Sequence, residues 1–261
     1  MKKSTIIASI IFLMSCGKNS DHHSITVPDL IQGNNSRANI TGIIFLYDED
    51  GTKLSNNGYV TVSIDNSTVS TTTDASGKFQ LDSIPAGTYD ITYNRDGFGT
   101  GKIMGLYHAA TNHTTTVITR NESMAMNSTL AINNVVVQAF DPALQQLGVS
   151  GFHIVPVFGN SNGKEKWVHL FFSDNNSVSA NNYQVETKIK ASGSATDMNN
   201  FNLTTAWFES QGFQKGQTIF IKAYGDSFLA DEYTNPLTNQ TIFPSLSTSS
   251  SPVVSFVIPT K

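Results

Sequence analysis

The stretch TTTDASGKFQLDSIPAGTYDITYNRDGF (residues 71–98) decides the fold. Its apolar residues recur at every second position. Phe79 and Leu81 form one inward pair, and Tyr89, Ile91 and Tyr93 share a face. A period of two is the signature of a half-buried strand, because successive side chains of an extended chain point to opposite sides. Turn residues punctuate the runs, at Asp74 to Gly77 and again at Pro85-Ala86-Gly87. Gly77 and Gly87 are expected to supply positive φ at those turns, and Pro85 to fix the approach to the last hairpin.

The pattern continues outward. Upstream, Ile40 to Tyr47 is rich in β-branched and aromatic residues and stops at Asp50-Gly51. Val60, Val62 and Ile64 point one way, Thr61 and Ser63 the other. Strands repeat about every ten residues, and no stretch carries a helical stripe of useful length. The expectation is an all-β chain built from antiparallel sandwiches. Downstream, 102–107, 114–118 and 130–137 are further strand candidates, assigned to a first sandwich spanning 39–139. A boundary falls near Phe140-Asp141-Pro142. The second half, 140–261, repeats the signature. Ile154 and Phe158 alternate with Val155 and Val157. Tyr183, Val185, Thr187 and Ile189 face one side, while Gln184, Glu186, Lys188 and Lys190 face the wet side.

Residues 71–98 resemble the carboxypeptidase regulatory-like domain, a transthyretin-like sandwich. The resemblance rests on Gly42, Asp48 with Gly51, Thr73-Asp74 with Gly77 and Phe79, Ile84-Pro85-Ala86-Gly87 with Tyr89, and Gly97-Phe98. The chain departs from the family at Lys53-Leu54-Ser55-Asn56-Asn57-Gly58, where a Pro-Leu-x-Gly-Ala-like step is usual. The resemblance implies a non-catalytic accessory module. In the second half, 216–227 and 251–259 resemble the late strands of fibronectin type III and immunoglobulin-like sandwiches.

The N-terminus reads as an address. Lys2 and Lys3 precede an apolar run from Ile6 to Met14, too short to span a bilayer. Leu13-Met14-Ser15-Cys16 resembles the bacterial lipobox, which implies cleavage of residues 1–15 and lipidation of Cys16, the single cysteine. Residues 16–38 read as a flexible tether. Gly17, where an Asp would retain an inner-membrane lipoprotein, favours the outer membrane by analogy, on either its periplasmic or its cell-surface face.

Composition excludes one class of partner. With 16 Lys+Arg against 20 Asp+Glu and no basic block in the body of the chain, nothing favours nucleic acid. The chemical motifs do not close either. Gly225-Asp226-Ser227 resembles the nucleophile segment of one esterase class but completes no catalytic set, because no histidine follows Ser227; an esterase using Ser227 is the remotest reading. Asp48 to Gly51 lacks the glutamate that an EF-hand would place at Tyr59. Adjacent His22 and His23, and His108, His113, His153 and His169, show no metal-ligand spacing. We therefore assign no catalytic, cofactor or metal residue. Trp167 and Trp207 lie in apolar runs and read as core-packing residues, with stacking on a sugar ring as the alternative. The expected function is non-enzymatic: an envelope lipoprotein binding a glycan or protein partner. The alternative is an accessory subunit of an envelope peptidase or glycan-uptake receptor.

Overall fold

Strand β1 (Arg37–Tyr47) organises the first half. Buried and part-exposed residues alternate along its length, as the period-two reading requires. β1 belongs to a four-stranded sheet. The facing sheet is built, from one edge to the other, of β3 (Ser70–Thr72), β2 (Thr61–Ile64), β5 (Gly87–Asn94) and β6 (Gly101–His108). In the first sheet an antiparallel strand, β4 (Lys78–Pro85), pairs with β1, as do the parallel strands β7 (Thr116–Val117) and β8 (Glu122–Ala125). Ile40, Ile44, Leu46, Val62, Phe79, Leu81 and Ile91 fill the space between the sheets.

This computed structural model describes residues 36–140, 148–159, 164–191, 201–235 and 238–260. The export signal, Cys16 and all but the end of the tether lie outside the described residues, as do His22 and His23.

Two sequence expectations about the first half change. The turn at Pro85-Ala86-Gly87 does not double the chain back on β4, because β4 and β5 belong to different sheets. It is the corner where the chain crosses the sandwich. Gly87 is also absent from the left-handed region, which at this corner is taken by Ser83 (φ 55°). Ser83 is held from both sides: its N–H donates to Asn39 Oδ1 at 3.0 Å and its carbonyl accepts from Arg37 at 2.7 Å. Gly87 is small for another reason. A Cβ there would lie 3.0 Å from the Tyr89 hydroxyl, which donates to the Pro85 carbonyl.

The second half is also two-layered. One sheet runs from β13 (Phe201–Thr204) through β10 (Gly151–Phe158) to β9 (Ile132–Ala139). The other runs from β12 (Val185–Ala191) through β11 (Lys166–Ser173) and β14 (Thr218–Asp226) to β17 (Val254–Val257). The sequence reading gives the β9 segment to the first sandwich. Its edge pairs instead with β10, from Ile132 against Phe158 to Ala139 against Phe152. The core joins Ile154, Val168, Leu170, Phe172, Ile219 and Ile221 to Phe208. Phe208 comes from a short helix, Thr205–Ser210, capped by Thr204 Oγ1 accepting from the Trp207 N–H at 3.1 Å. In sequence this segment reads only as a short apolar run.

The β11–β14 sheet is covered on its outer face too. Phe171, Val178 and Phe243 form a second cluster there; Phe243 directly follows the hairpin of β15 (Tyr233–Asn235) and β16 (Gln240–Ile242). Double coverage explains why β11 is buried at nearly every position where a one-sided strand would alternate. Both halves belong to one compact unit.

Candidate functional site at the junction of the two halves

The turn after β1 reaches into the second half. Asp48 shapes it: its Oδ1 accepts from the N–H groups of Asp50 (3.0 Å) and Thr52 (2.7 Å). That leaves Glu49 and Asp50 pointing outward from the turn. Lys166, only 3% exposed, places Nζ 2.9 Å from Glu49 Oε1 and 3.3 Å from Asp50 Oδ1. Glu49 also accepts from the Thr129 N–H and hydroxyl, both at 2.6 Å, and its carbonyl accepts from the Phe228 N–H at 2.8 Å. The acidic DEDG segment, which on sequence invites comparison with a cation loop, is an ion-paired clasp.

A second set of contacts closes the junction from the other side. Gly99 approaches Pro244 so closely that a Cβ would lie 2.9 Å from the proline's carbonyl carbon. The Ser128 N–H donates to the Ser245 carbonyl at 2.8 Å. Between these contacts lies a cleft of about 360 Å³, walled by Tyr93, Arg120 and Glu122 from the first half and by Asp231, Tyr233 and Ser245 from the second. It continues into a shallower groove of about 500 Å³ beside β6, where Ile103, Leu106, Val117 and Ile118 add apolar surface.

The charges in the cleft are unequal in freedom. Glu122 is buried and fully engaged. It receives Arg120 through two contacts of 3.1 Å and the Tyr93 hydroxyl at 3.1 Å. Burial, with the adjacent Glu122 charge, pushes the Tyr93 hydroxyl far above its ordinary range. Arg120 remains 81% exposed, so its unused N–H groups face solvent. Asp231 is half-buried. Burial, then repulsion from Asp226 and Glu122, raises its carboxyl to about 6, against a weaker pull from Lys188.

A stability prediction follows for Asp231. Its folded value lies above the unfolded one, so the neutral form is favoured by folding. The stabilisation is fully present below about pH 3.8 and is lost as pH rises through about 6. Asp231→Asn should therefore leave stability unchanged near pH 3.5 and raise it by about 1–2 kcal/mol at pH 7, after discounting for partial exposure. Urea denaturation of both proteins at the two pH values measures this.

The remaining sequence candidates are dispersed. Trp167 is half-buried; its Nε1–H donates to the Phe228 carbonyl at 3.0 Å, and Lys188 and Lys190 place ammonium groups 5.4 and 5.5 Å from its ring. Trp207 sits against the core, with its ring edge-on to Phe172 at 5.7 Å and to Phe208 at 5.0 Å. The two tryptophans do not share a face. Ser227 is wholly buried, and its hydroxyl meets Ser245 Oγ at 3.2 Å. Gly225 is there for packing, since a Cβ would meet the Leu130 carbonyl oxygen at 2.2 Å. His108 clamps strands: Nδ1 meets Thr116 Oγ1 at 2.7 Å and Nε2 the Ile84 carbonyl at 3.1 Å. His153 contacts Asn202. No group of three or more potential metal ligands gathers among the described residues.

Sequence reasoning missed Arg120, Glu122 and Asp231. Arg120 and Glu122 are sequence neighbours but carry no recognisable motif, and only the topology brings Asp231 to them.

The architecture so built is an all-β pair of sandwiches with a polar cleft at their junction. Within it, residues 40–124 match the sequence profile described as carboxypeptidase regulatory-like domain. No curated protein shows a significant sequence match. Among solved structures, the chain is similar to a DUF3823 family protein from Parabacteroides merdae, at 13% identity, over 84% of this chain and 98% of that one, with a TM-score of 0.31. It is similar to a candidate carbohydrate-binding protein from Bacteroides uniformis at 10% identity, over 85% and 99%, with a TM-score of 0.32. It also matches a chain of a type II cohesin–X-dockerin complex from Acetivibrio cellulolyticus at 19% identity and a TM-score of 0.29, covering 34% of this chain and 58% of that one. Such low identities and TM-scores do not bear on function.

Proposed function

We propose that the protein is a non-enzymatic binding lipoprotein of the bacterial envelope, anchored in the outer membrane through Cys16, that takes a glycan or protein partner in the junction cleft. The carrying observation is where the polar groups lie. Accessible polar groups from both halves meet in the cleft, where Arg120, Asp231 and Tyr233 line one space. The reactive-looking ones, Ser227 and His169, have no exposure. A cleft with charged donors and acceptors beside an aromatic ring suits a hydroxyl-rich ligand. A groove with apolar walls continuing from it suits a longer chain.

Glycan-array binding tests this reading. Tyr233→Ala should lower the signal about tenfold with folding intact, and Trp207→Ala, which alters the core, should not act through the ligand. A signal unchanged by Tyr233→Ala and abolished by Trp167→Ala would move the site to Trp167. Mass spectrometry of the membrane-extracted protein should find acyl chains on Cys16; a free thiol there would overturn the anchor.

The match at 40–124 favours a second reading, an accessory subunit beside an envelope peptidase or glycan-uptake receptor. That reading expects a stable large partner in pull-downs from detergent-solubilised membranes.

A further inference from the structure

His169 lies in the middle of β11 with no exposure, between two carboxylates on two different strands. Nδ1 is 2.6 Å from Glu186 Oε1 on β12, and Nε2 is 3.0 Å from Asp226 Oδ2 at the end of β14. Nδ1 and Glu186 share a hydrogen bond, whereas Nε2 and Asp226 Oδ2 meet as an ion pair without hydrogen-bond alignment. A carboxylate beside each ring nitrogen favours the imidazolium, the form with an N–H on both. Burial opposes that charge, but the facing Asp226 and Glu186 outweigh it and hold the ring above its ordinary range. Among the described residues, the other elements packed on the ring supply no second buried cation. Lys188 is its register partner on β12 and half-exposed, and Tyr224 is its partner on β14. The Phe243 ring covers it at 4.7 Å. Asp231, beyond β14, adds a carboxyl that Asp226 repels.

Asp226 is also the anchor for the strand-less segment 243–247. Its Oδ1 accepts from Ser245 Oγ at 2.9 Å and from the Ser227 N–H at 2.7 Å. That segment makes the junction contacts described above, Ser245 to Ser128 and Pro244 against Gly99. It also forms part of the cleft wall.

We propose that the proton on His169 is a latch on the junction: while it is present, Asp226 and the 243–247 segment stay seated against the first half, and its loss frees that segment and widens the cleft. The neutral ring keeps one N–H for two carboxylates. Glu186 is partly exposed and can turn to water, whereas Asp226 has no exposure. With the cation gone, the wholly buried Asp226 keeps its charge with the half-buried Asp231 carboxyl repelling it, and an uncompensated buried charge is strongly destabilising. The least costly relief is to admit water by lifting the segment that covers Asp226. Because this folded-state pKa is raised, the latch is closed below about pH 6.5 and opens as pH rises through the higher folded value. The latch concerns the free protein and stands apart from the ligand reading.

Native-state hydrogen exchange on the free protein, expressed as protection factors between pH 5.5 and 10, tests it alongside the NMR titration of the His169 ring. Protection of the Ser128 amide should fall about tenfold or more across the His169 titration. The Ile44 amide, bonded to Gly77 within the first half, should not change over that range. His169→Gln should show low, pH-independent Ser128 protection. If that variant does not fold, Ser245→Ala should give low Ser128 protection at every pH while His169 still titrates. A ring that titrates below 6.5, or Ser128 protection that stays constant through the titration, overturns the proposal.

Discussion

Lys166→Met should lower the unfolding free energy by about 3 kcal/mol, the cost of leaving paired carboxylates without their buried partner. Methionine keeps the length and apolar stem of the lysine, so packing changes little and the charge is the variable. The Nζ group faces both Glu49 and Asp50, and Asp50 Oδ1 has no hydrogen bond of its own. Glu49 retains Thr129, which softens its loss. Adding Glu49→Gln and Asp50→Asn to Lys166→Met should recover part of the lost stability, because no buried charge is then left unpaired. A double-mutant cycle between Lys166→Met and Glu49→Gln should return a coupling of about 1–2 kcal/mol. Burial pushes the Glu49 carboxyl up, but Thr129 and Lys166 more than reverse this, so it sits below 4.5. The clasp therefore contributes fully above about pH 4.5 and is lost as pH falls through the lowered value. Urea denaturation at pH 7 and pH 3.5 reads both effects, and the Lys166→Met penalty should shrink at the lower pH.

Gly77→Ala should cost about 3 kcal/mol or more, and Gly87→Ala less than about 1. Gly77 has φ 89°, a conformation that side chains rarely adopt, and a Cβ there would lie 2.1 Å from the Ile44 carbonyl oxygen. Neither the backbone strain nor the collision with β1 has an easy release. The same turn is braced by Asp74, whose Oδ1 accepts from the Ser76 and Lys78 N–H groups at 2.8 and 3.0 Å. At Gly87 the backbone is ordinary and the new methyl meets only the end of a tyrosine ring, which can shift. Equal losses at the two positions in urea denaturation would show that this distinction is wrong.

The strands are legible in the sequence because period two is a local signal. Ile40 to Tyr47, Phe79 with Leu81, and Val60 to Ile64 are buried where alternation places them. Sheet membership is less legible. A proline-glycine corner between two strands reads alike whether the chain doubles back or crosses to the opposite sheet. Strand β9 is short of local information in the same way, since its partner begins at Gly151. The helix at Thr205–Ser210 is too brief to show a stripe. The junction is the least legible part. Alternation puts Glu186 on a wet face, yet it reaches back to His169. Lys166 and Asp231 look like ordinary surface letters until the topology sets them beside Glu49 and Asp226.

The double pairing of β1 has a kinetic consequence. Ile40 and Thr41 find one partner at Leu81 and Gln80, but their second partners are Thr116 and Val117, and Ile44 to Tyr47 wait for Glu122 to Ala125. Contacts so distant along the chain form slowly, since loop closure must precede any reward from pairing. Until residue 125 has been delivered, one side of β1 is an open template for the strand of another molecule. Fragments ending before Thr116 should therefore self-associate where the full chain stays dispersed.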